Sequence, residues 1–185
     1  MSRPFPFSQP AASVLGFVLA AGGLGLPAAI PAAALAQASE PERTMATAGS
    51  PFDITAVQAL LARGDAAAAA GNLAEARRLY DQARDASRKL LSFYRDLSGA
   101  FRGLDARIPR EMDEKGRQTL DLLVGANMRL AALFRRQGQP EVAVPLLVEV
   151  VKTMTPANES GRKAYQQLLE IGFVSTPYTA PGGNP

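Results

Sequence analysis

The chain has 185 residues, of which 47% are apolar and 6% aromatic, with no Trp. This suits one domain with a leader or tail and a core of Leu, Val and Ala, as in close-packed helices. Cys and His are both missing, which excludes disulfides, Cys or His metal ligands, Cys nucleophiles and His-containing triads. The net charge of +3 comes from interleaved signs, so we expect no nucleic-acid partner.

Residues 1–38 have the order of a secretory signal peptide. Arg3 is their one charged residue, an apolar run follows, and Ala-Gln-Ala ends at Ala38. We expect cleavage after Ala38 and export to a periplasm or thylakoid lumen. The alternative is an N-terminal membrane anchor, because the run is about long enough to cross ~30 Å of hydrocarbon. Residues 39–54 are rich in Ser, Thr and Pro and predict a flexible linker.

Helical spacing begins at Thr55, and Gly71-Asn72 predicts the end of a first helix. Asn72 is a predicted N-cap, with Glu75 in the capping-box position. An apolar stripe then continues without a breaker to Gly99. We therefore predict one long helix of about seven turns.

Residues 103–109 predict a linker, with Pro109 suited to a first helical position, followed by a helix that ends at Gly138. The next stretch, GQPEVAVPLLVEVV, has enough valine for a strand, but two prolines argue against one. Its apolar residues, from Ala143 to Met154, recur with helical spacing, so we predict a helix. A last helix over 160–171 and a disordered tail over 174–185 complete the chain.

Residues 57–90 and 124–157 resemble two tetratricopeptide repeats, a family whose repeating unit is a helix pair of about 34 residues. The consensus-type residues in the two copies are Leu60, Gly64, Gly71, Ala76, Tyr80 and Ala83, and then Leu130, Ala131, Phe134, Gly138, Ala143 and Leu147. Between them, Tyr94, Leu97, Ser98 and Phe101 resemble the first helix of a degraded copy. The resemblance implies an all-α domain over 55–173: a right-handed stack of antiparallel helical hairpins with about five helices, two of them long and central.

Proteins of this type bind a peptide or partner helix in a concave groove lined by the first helices of the repeats. Carried over by position, that groove comprises Leu61, Asp65, Met128, Ala132, Arg135 and Arg136. The Lys and Asn that clamp a C-terminal carboxylate in some members are missing here, so an apolar or acidic partner helix is expected. The alternative is that Leu61 and Met128 belong to the core.

A basic face is the second candidate surface, formed by Arg77, Arg84, Arg88 and Arg95. Their steps of seven, four and seven place them along one side of the long helix. They predict either a solvated, salt-bridged face or a docking strip for an acidic protein or anionic lipid. The acidic residues Glu111, Asp113 and Glu114 flank a helix start, where the helix dipole favours them.

The sequence therefore predicts an exported, non-enzymatic interaction module without a cofactor or metal, which binds another protein through a groove and a basic face. One alternative is an accessory subunit of an extracytoplasmic or thylakoid-lumenal membrane complex. Another is a small carboxylate-based glycan-cleaving enzyme, which needs two carboxyl groups about 5–9 Å apart in a cleft. Homodimerisation is also open, because the ends of helical stacks often carry apolar surface.

Overall fold

A computed structural model describes residues 53–179; the predicted signal peptide, residues 39–52 of the linker and residues 180–185 of the tail lie outside that range. The described part is all-α, as predicted. It contains five helices: α1 (Ile54–Ala69), α2 (Leu73–Ala100), α3 (Arg107–Arg136), α4 (Pro140–Met154) and α5 (Glu159–Glu170). α2 and α3, with 28 and 30 residues, are the two long central helices.

Local signals set most helix ends. The Asn72 side chain accepts a hydrogen bond from the N–H of Glu75 at 3.2 Å, which confirms the predicted cap. The reciprocal capping-box bond does not form, because the Glu75 carboxylate pairs with Arg78 instead. Gly71 and Gly138 close α1 and α3 with φ of 79° and 71°, a conformation that costs glycine little.

The stretch GQPEVAVPLLVEVV forms α4, so its helical spacing was the correct signal. Pro140 is the first helical residue, where no N–H is needed. Pro145 lies inside the helix and removes one backbone hydrogen bond, to the carbonyl of residue 141. Ala143, Leu147 and Val150 are fully buried.

The predicted bounds needed small corrections elsewhere. α3 starts at Arg107, so Pro109 is its third residue rather than its first. Asp53 caps α1, which starts inside the predicted linker. The first part of the predicted tail touches α5: the Tyr165 hydroxyl donates to the Thr176 carbonyl at 2.7 Å, and the rings of Tyr165 and Tyr178 meet edge to face.

The helices stack in chain order, each antiparallel to the next, and α1 also reaches α3. The short connections allow only antiparallel neighbours. One apolar core, centred on fully buried Leu130 and Leu147, joins all five helices. α4 packs against α3 and reaches α2 through the ion pairs of Glu149 with Arg84 and Arg88.

The two stretches compared in the sequence analysis, called here the first and second copies and starting at Val57 and Val124, match in burial and in one turn. The positions buried in both copies are Val57 and Val124, Gly64 and Ala131, Ala76 and Ala143, Leu79 and Leu146, Tyr80 and Leu147, and Ala83 and Val150. The turns also match, because the N–H of Asn72 donates to the Ala67 carbonyl and that of Gln139 to the Phe134 carbonyl, both at 2.9 Å. The second half of α3 and α4 thus reproduce α1 and the first half of α2.

The unbroken helices give the middle of the chain a different role. α1 starts beside Tyr94, whose phenol is within electrostatic range of Asp53. α4 ends with Thr153 in the same cleft as Arg95 and Leu120. Beyond these points α2 and α3 continue as a two-helix arm, residues 91–120, with the connecting loop at its tip.

Candidate functional site

A groove runs along the arm between α2 and α3. Two adjoining clefts of about 260 and 320 Å³ form it, and they share Leu91, Arg95 and Leu120. The floor is apolar: Leu91, Met112 and Leu123 are already buried, and Gly116 and Leu120 are partly exposed. Arg95 and Arg117 stand at its rim. Amphipathic helices commonly bind in grooves that have an apolar floor and charged edges.

Gly116 sets how closely a ligand can approach this floor. A Cβ added there would lie 3.9 Å from Leu91 and 4.0 Å from the Tyr94 Cβ, which is ordinary van der Waals contact. The glycine is therefore not required by packing within the protein. A larger side chain at this position would extend from this contact with α2 into the cleft that Gly116 lines.

α4 lies in line with the groove, and its contacts show how α2 binds a neighbouring helix. Glu149 of α4 accepts from Arg88 Nη2 at 2.8 and 2.7 Å and from Arg84 Nη2 at 3.2 Å. Burial would raise the pKa of Glu149, but the hydrogen bonds and charges of Arg88 and Arg84 together hold it below its ordinary value. The carboxylate is therefore ionised at neutral pH and fixed between two guanidinium groups.

Arg95 is the next arginine of the row and lies further along the arm. It follows Arg88 by two helical turns and so lies on the same side of α2. α4 ends beside it, with Thr153 lining the same cleft as Arg95. Arg95 is exposed and makes no ion pair with a described residue. The chain thus presents a third arginine in the row, which lies beside the groove floor at the end of α4.

The six residues of the predicted groove do not form one open surface. Leu61 is buried in the core and Met128 packs against it. Asp65 is bound by Arg129, and Arg135 Nη2 contacts Glu170 at 3.0 Å. Ala132 and Arg136 are exposed on the outer side of α3.

The four arginines of the predicted basic face divide between two roles. Arg84 and Arg88 hold Glu149, as described above. Arg77 lies over the Phe134 ring at 5.0 Å from its centroid and pairs with Asp81. Arg95 alone among the four has no partner among the described residues, and it lines both clefts of the groove, whereas Arg88 lines one of them.

The acidic residues near the start of α3 are engaged within the protein. Asp113 accepts from the Ser98 hydroxyl at 2.8 Å, Glu111 pairs with Lys115, and Glu114 pairs with Arg117. Within residues 53–179, no three carboxylates are placed to hold a metal ion. None of the five helices combines the length and apolarity that a membrane span requires.

Compared with known protein families, curated proteins and solved structures, the chain gives no significant match. The groove is therefore identified by its geometry alone. The sequence identified Arg95 as a candidate site residue. It did not identify Met112, Gly116 and Leu120, because their spacing is that of an ordinary helical stripe. The signal that was available is the length of α2 and α3, which exceeds what α1 and α4 can cover.

Proposed function

We propose that this protein is a non-enzymatic interaction module, exported and of the tetratricopeptide type, that binds an amphipathic helix of a partner protein in the groove of the arm. The partner helix lies in line with α4, places apolar side chains on the floor at Gly116, and directs a carboxylate at Arg95. The observation that carries the proposal is the row of Arg84, Arg88 and Arg95, in which the first two already hold a helix by its glutamate.

Three features support this proposal. The recurrence of buried positions and turns is typical of helical repeat proteins, whose function is generally recognition. Gly116 and Leu120 leave part of the apolar floor exposed, where burial can supply affinity, and the rim arginines can supply orientation and encounter rate. The arm is built on two long helices, so the groove is largely preformed and binding costs little ordering.

Site-specific photo-cross-linking in the native cell tests the proposal. A benzophenone amino acid replaces Ser92, which is exposed and lines the groove, and a matched probe replaces Gln166 on the exposed side of α5. We expect one discrete adduct from position 92 and none from position 166. Mass spectrometry then identifies the partner and the cross-linked segment, which must be an amphipathic helix.

Two variants decide whether the groove itself is responsible. Gly116→Leu fills the floor and should abolish the adduct, while Gly99→Leu, where an added Cβ meets nothing within 4 Å, should leave it unchanged. Arg95→Glu should weaken the adduct, and a compensating Glu→Arg in the partner should restore it. An adduct that survives Gly116→Leu contradicts the proposal, and a partner that is a second copy of this chain makes the groove a homodimer interface.

A further inference from the structure

The loop at the tip of the arm, residues 101–106, presents an apolar side chain to solvent. Leu104 is 79% exposed, more than any other large apolar residue in the described part of the chain. Hydrogen bonds from the N–H groups of Leu104 and Asp105 to the Phe101 carbonyl, at 3.0 and 3.3 Å, fix the turn. Gly103, with φ of 85°, supplies its left-handed residue. The leucine is therefore held outward by an ordered turn.

The sequence around this leucine is rich in arginine. Residues 101–110 contain Arg102, Arg107 and Arg110 against the one acidic residue Asp105. Arg107 pairs with Asp105 at 2.7 Å, so the acid is neutralised within the loop. Arg102 and Arg110 make no ion pair with a described residue, and both are exposed. The tip thus combines one protruding apolar group with two uncompensated cations.

A cleft of about 410 Å³ opens at the same loop, next to Gly103. Arg102, Arg110 and Arg117 line it together with Asp113 and the backbone around Gly103 and Ala106. Asp113 is already bound by Ser98. The cleft is large enough for a phosphate group with part of its glycerol, and its charged lining consists of three arginines, of which Arg117 already pairs with Glu114, and one aspartate.

We propose that the tip of the arm contacts the surface of an anionic phospholipid bilayer. Leu104 enters the boundary between headgroups and acyl chains, and a lipid phosphate occupies the cleft between Arg102 and Arg110. A protein partner fits the tip less well, because a specific protein interface buries about 800 Å² on each side and a single protruding leucine offers far less. A bilayer accepts such a residue without a complementary pocket.

The tip cleft adjoins the helix-binding groove on the side of the arm and shares Asp113 and Arg117 with it, but Leu104, Arg102 and Arg110 do not line the groove. A single leucine with two or three arginines gives weak, reversible and salt-sensitive attachment. Its effect is to orient the arm towards the membrane, so that the groove faces partners at or near the bilayer surface.

The test uses tryptophan as a local probe, since the chain contains none. Leu104→Trp in the full chain is mixed with vesicles of phosphatidylglycerol and phosphatidylcholine, or of phosphatidylcholine alone. We expect a blue shift of the emission, and quenching by brominated acyl chains, with the anionic vesicles only. Both should disappear near 0.5 M NaCl, where the Debye length falls to about 4 Å. Because the probe reports its own surroundings, membrane contact by the apolar residues 11–30 does not produce this signal.

Matched controls separate the tip from the rest of the surface. Phe173→Trp, at a residue 57% exposed at the end of α5, should show no shift with the same vesicles. Arg102→Glu with Arg110→Glu, in the Leu104→Trp chain, should lower the apparent affinity at least about tenfold, since each basic residue contributes roughly fivefold near an anionic surface. The exposed pair Arg63→Glu with Arg162→Glu should change it less than about threefold.

Three results with vesicles would overturn the proposed bilayer contact. They are an unshifted emission of the Leu104→Trp chain with anionic vesicles, an equal shift with neutral vesicles, or an affinity unaffected by reversal of Arg102 and Arg110. Inorganic phosphate without vesicles should leave the tryptophan emission unshifted. A shift produced by phosphate alone would assign the cleft to a free anion and reject the bilayer. Circular dichroism of each variant verifies that the helices are retained.

Discussion

Arg129 of α3 and Asp65 of α1 form a two-pronged ion pair across the stack, with Nε–Oδ1 and Nη2–Oδ2 distances of 2.8 and 3.0 Å. The Tyr80 hydroxyl of α2 donates to the same Oδ1 at 2.7 Å. Three helices therefore meet at one carboxylate. Asp65, which the sequence analysis assigned to a ligand groove, instead connects α1 to the rest of the protein.

The Asp65 network predicts a loss of stability in acid. Arg129 lowers the pKa of Asp65 below its ordinary 3.8, mainly through its hydrogen bond. A carboxyl group with a lowered pKa stabilises the fold above its unfolded pKa and loses that contribution as pH falls through the folded value. The pair is nearly half exposed, so we expect Asp65→Asn to cost only about 0.5–1 kcal/mol at pH 7.

Urea denaturation at a series of pH values measures this effect. The stability gap between wild type and Asp65→Asn should be constant above about pH 5 and should shrink below about pH 4. Arg129→Gln should reproduce the same pH dependence, because it removes the other half of the pair. A gap that persists unchanged at about pH 2 would mean that charge does not contribute.

Gly64 of α1 is predicted to be intolerant of alanine. A Cβ there would lie 2.4 Å from Tyr80 Cε1 and 2.6 Å from Cδ1. The ring cannot move away easily, because it is buried and its hydroxyl is bound by Asp65. We expect Gly64→Ala to cost about 1–3 kcal/mol of unfolding free energy, whereas Gly99→Ala, in open space, should be neutral or stabilising by up to about 1 kcal/mol.

A second substitution, chosen from the matching positions of the other copy, should restore part of the stability that Gly64→Ala removes. At the matching positions of the second copy, the chain has Ala131 and Leu147, a small residue against an apolar one that is smaller than tyrosine. The double variant Gly64→Ala with Tyr80→Leu should therefore be more stable than the sum of the two single changes indicates. Chemical denaturation of all four chains measures the coupling; strict additivity would show that Gly64 and Tyr80 do not act as a pair.

Asn127 should be replaceable by leucine with a gain. Its side chain is 1% exposed, and its Oδ1 has no hydrogen-bond partner. A buried acceptor without a partner costs about 1–3 kcal/mol. Leucine has a similar branched shape and no polar atom, and Leu60 stands at the matching position of the first copy. We expect Asn127→Leu to raise the unfolding free energy by about 1 kcal/mol, measured by thermal and urea denaturation. A lower stability would show that the amide has an essential partner, such as a bound water.

Removal of Glu149 should loosen α4. Arg84 and Arg88 would then face each other without their shared carboxylate, and Arg84 Nε is already buried without a partner. We expect Glu149→Ala to cost about 1–2 kcal/mol and to raise hydrogen exchange in α4 more than in α1. The matched change is Glu159→Ala, which removes an exposed pair with Lys163 and should cost clearly less, because solvent screens that pair. Equal costs would argue against a clamp on α4.

The local structure was predictable to a large extent. Asn72, Gly71 and Gly138 placed the breaks, and the spacing of Ala143, Leu147 and Val150 identified α4 despite its prolines. These signals are short-range, because caps and positive-φ glycines act within a few residues. Even the fusion of two helices into α2 followed from the absence of a breaker.

The sequence alone therefore determined five helices, their order, the recurrence that pairs Val57 with Val124 and the class of fold, because backbone hydrogen bonding and apolar periodicity are local properties. Only the tertiary structure decided which arginines are free. Arg84, Arg88 and Arg95 are equivalent along α2, but Glu149, which is distant in the chain, reaches the first two and not the third. Likewise, the open groove and the exposed Leu104 exist because α1 and α4 are shorter than the helices they cover, and that depends on how distant segments pack.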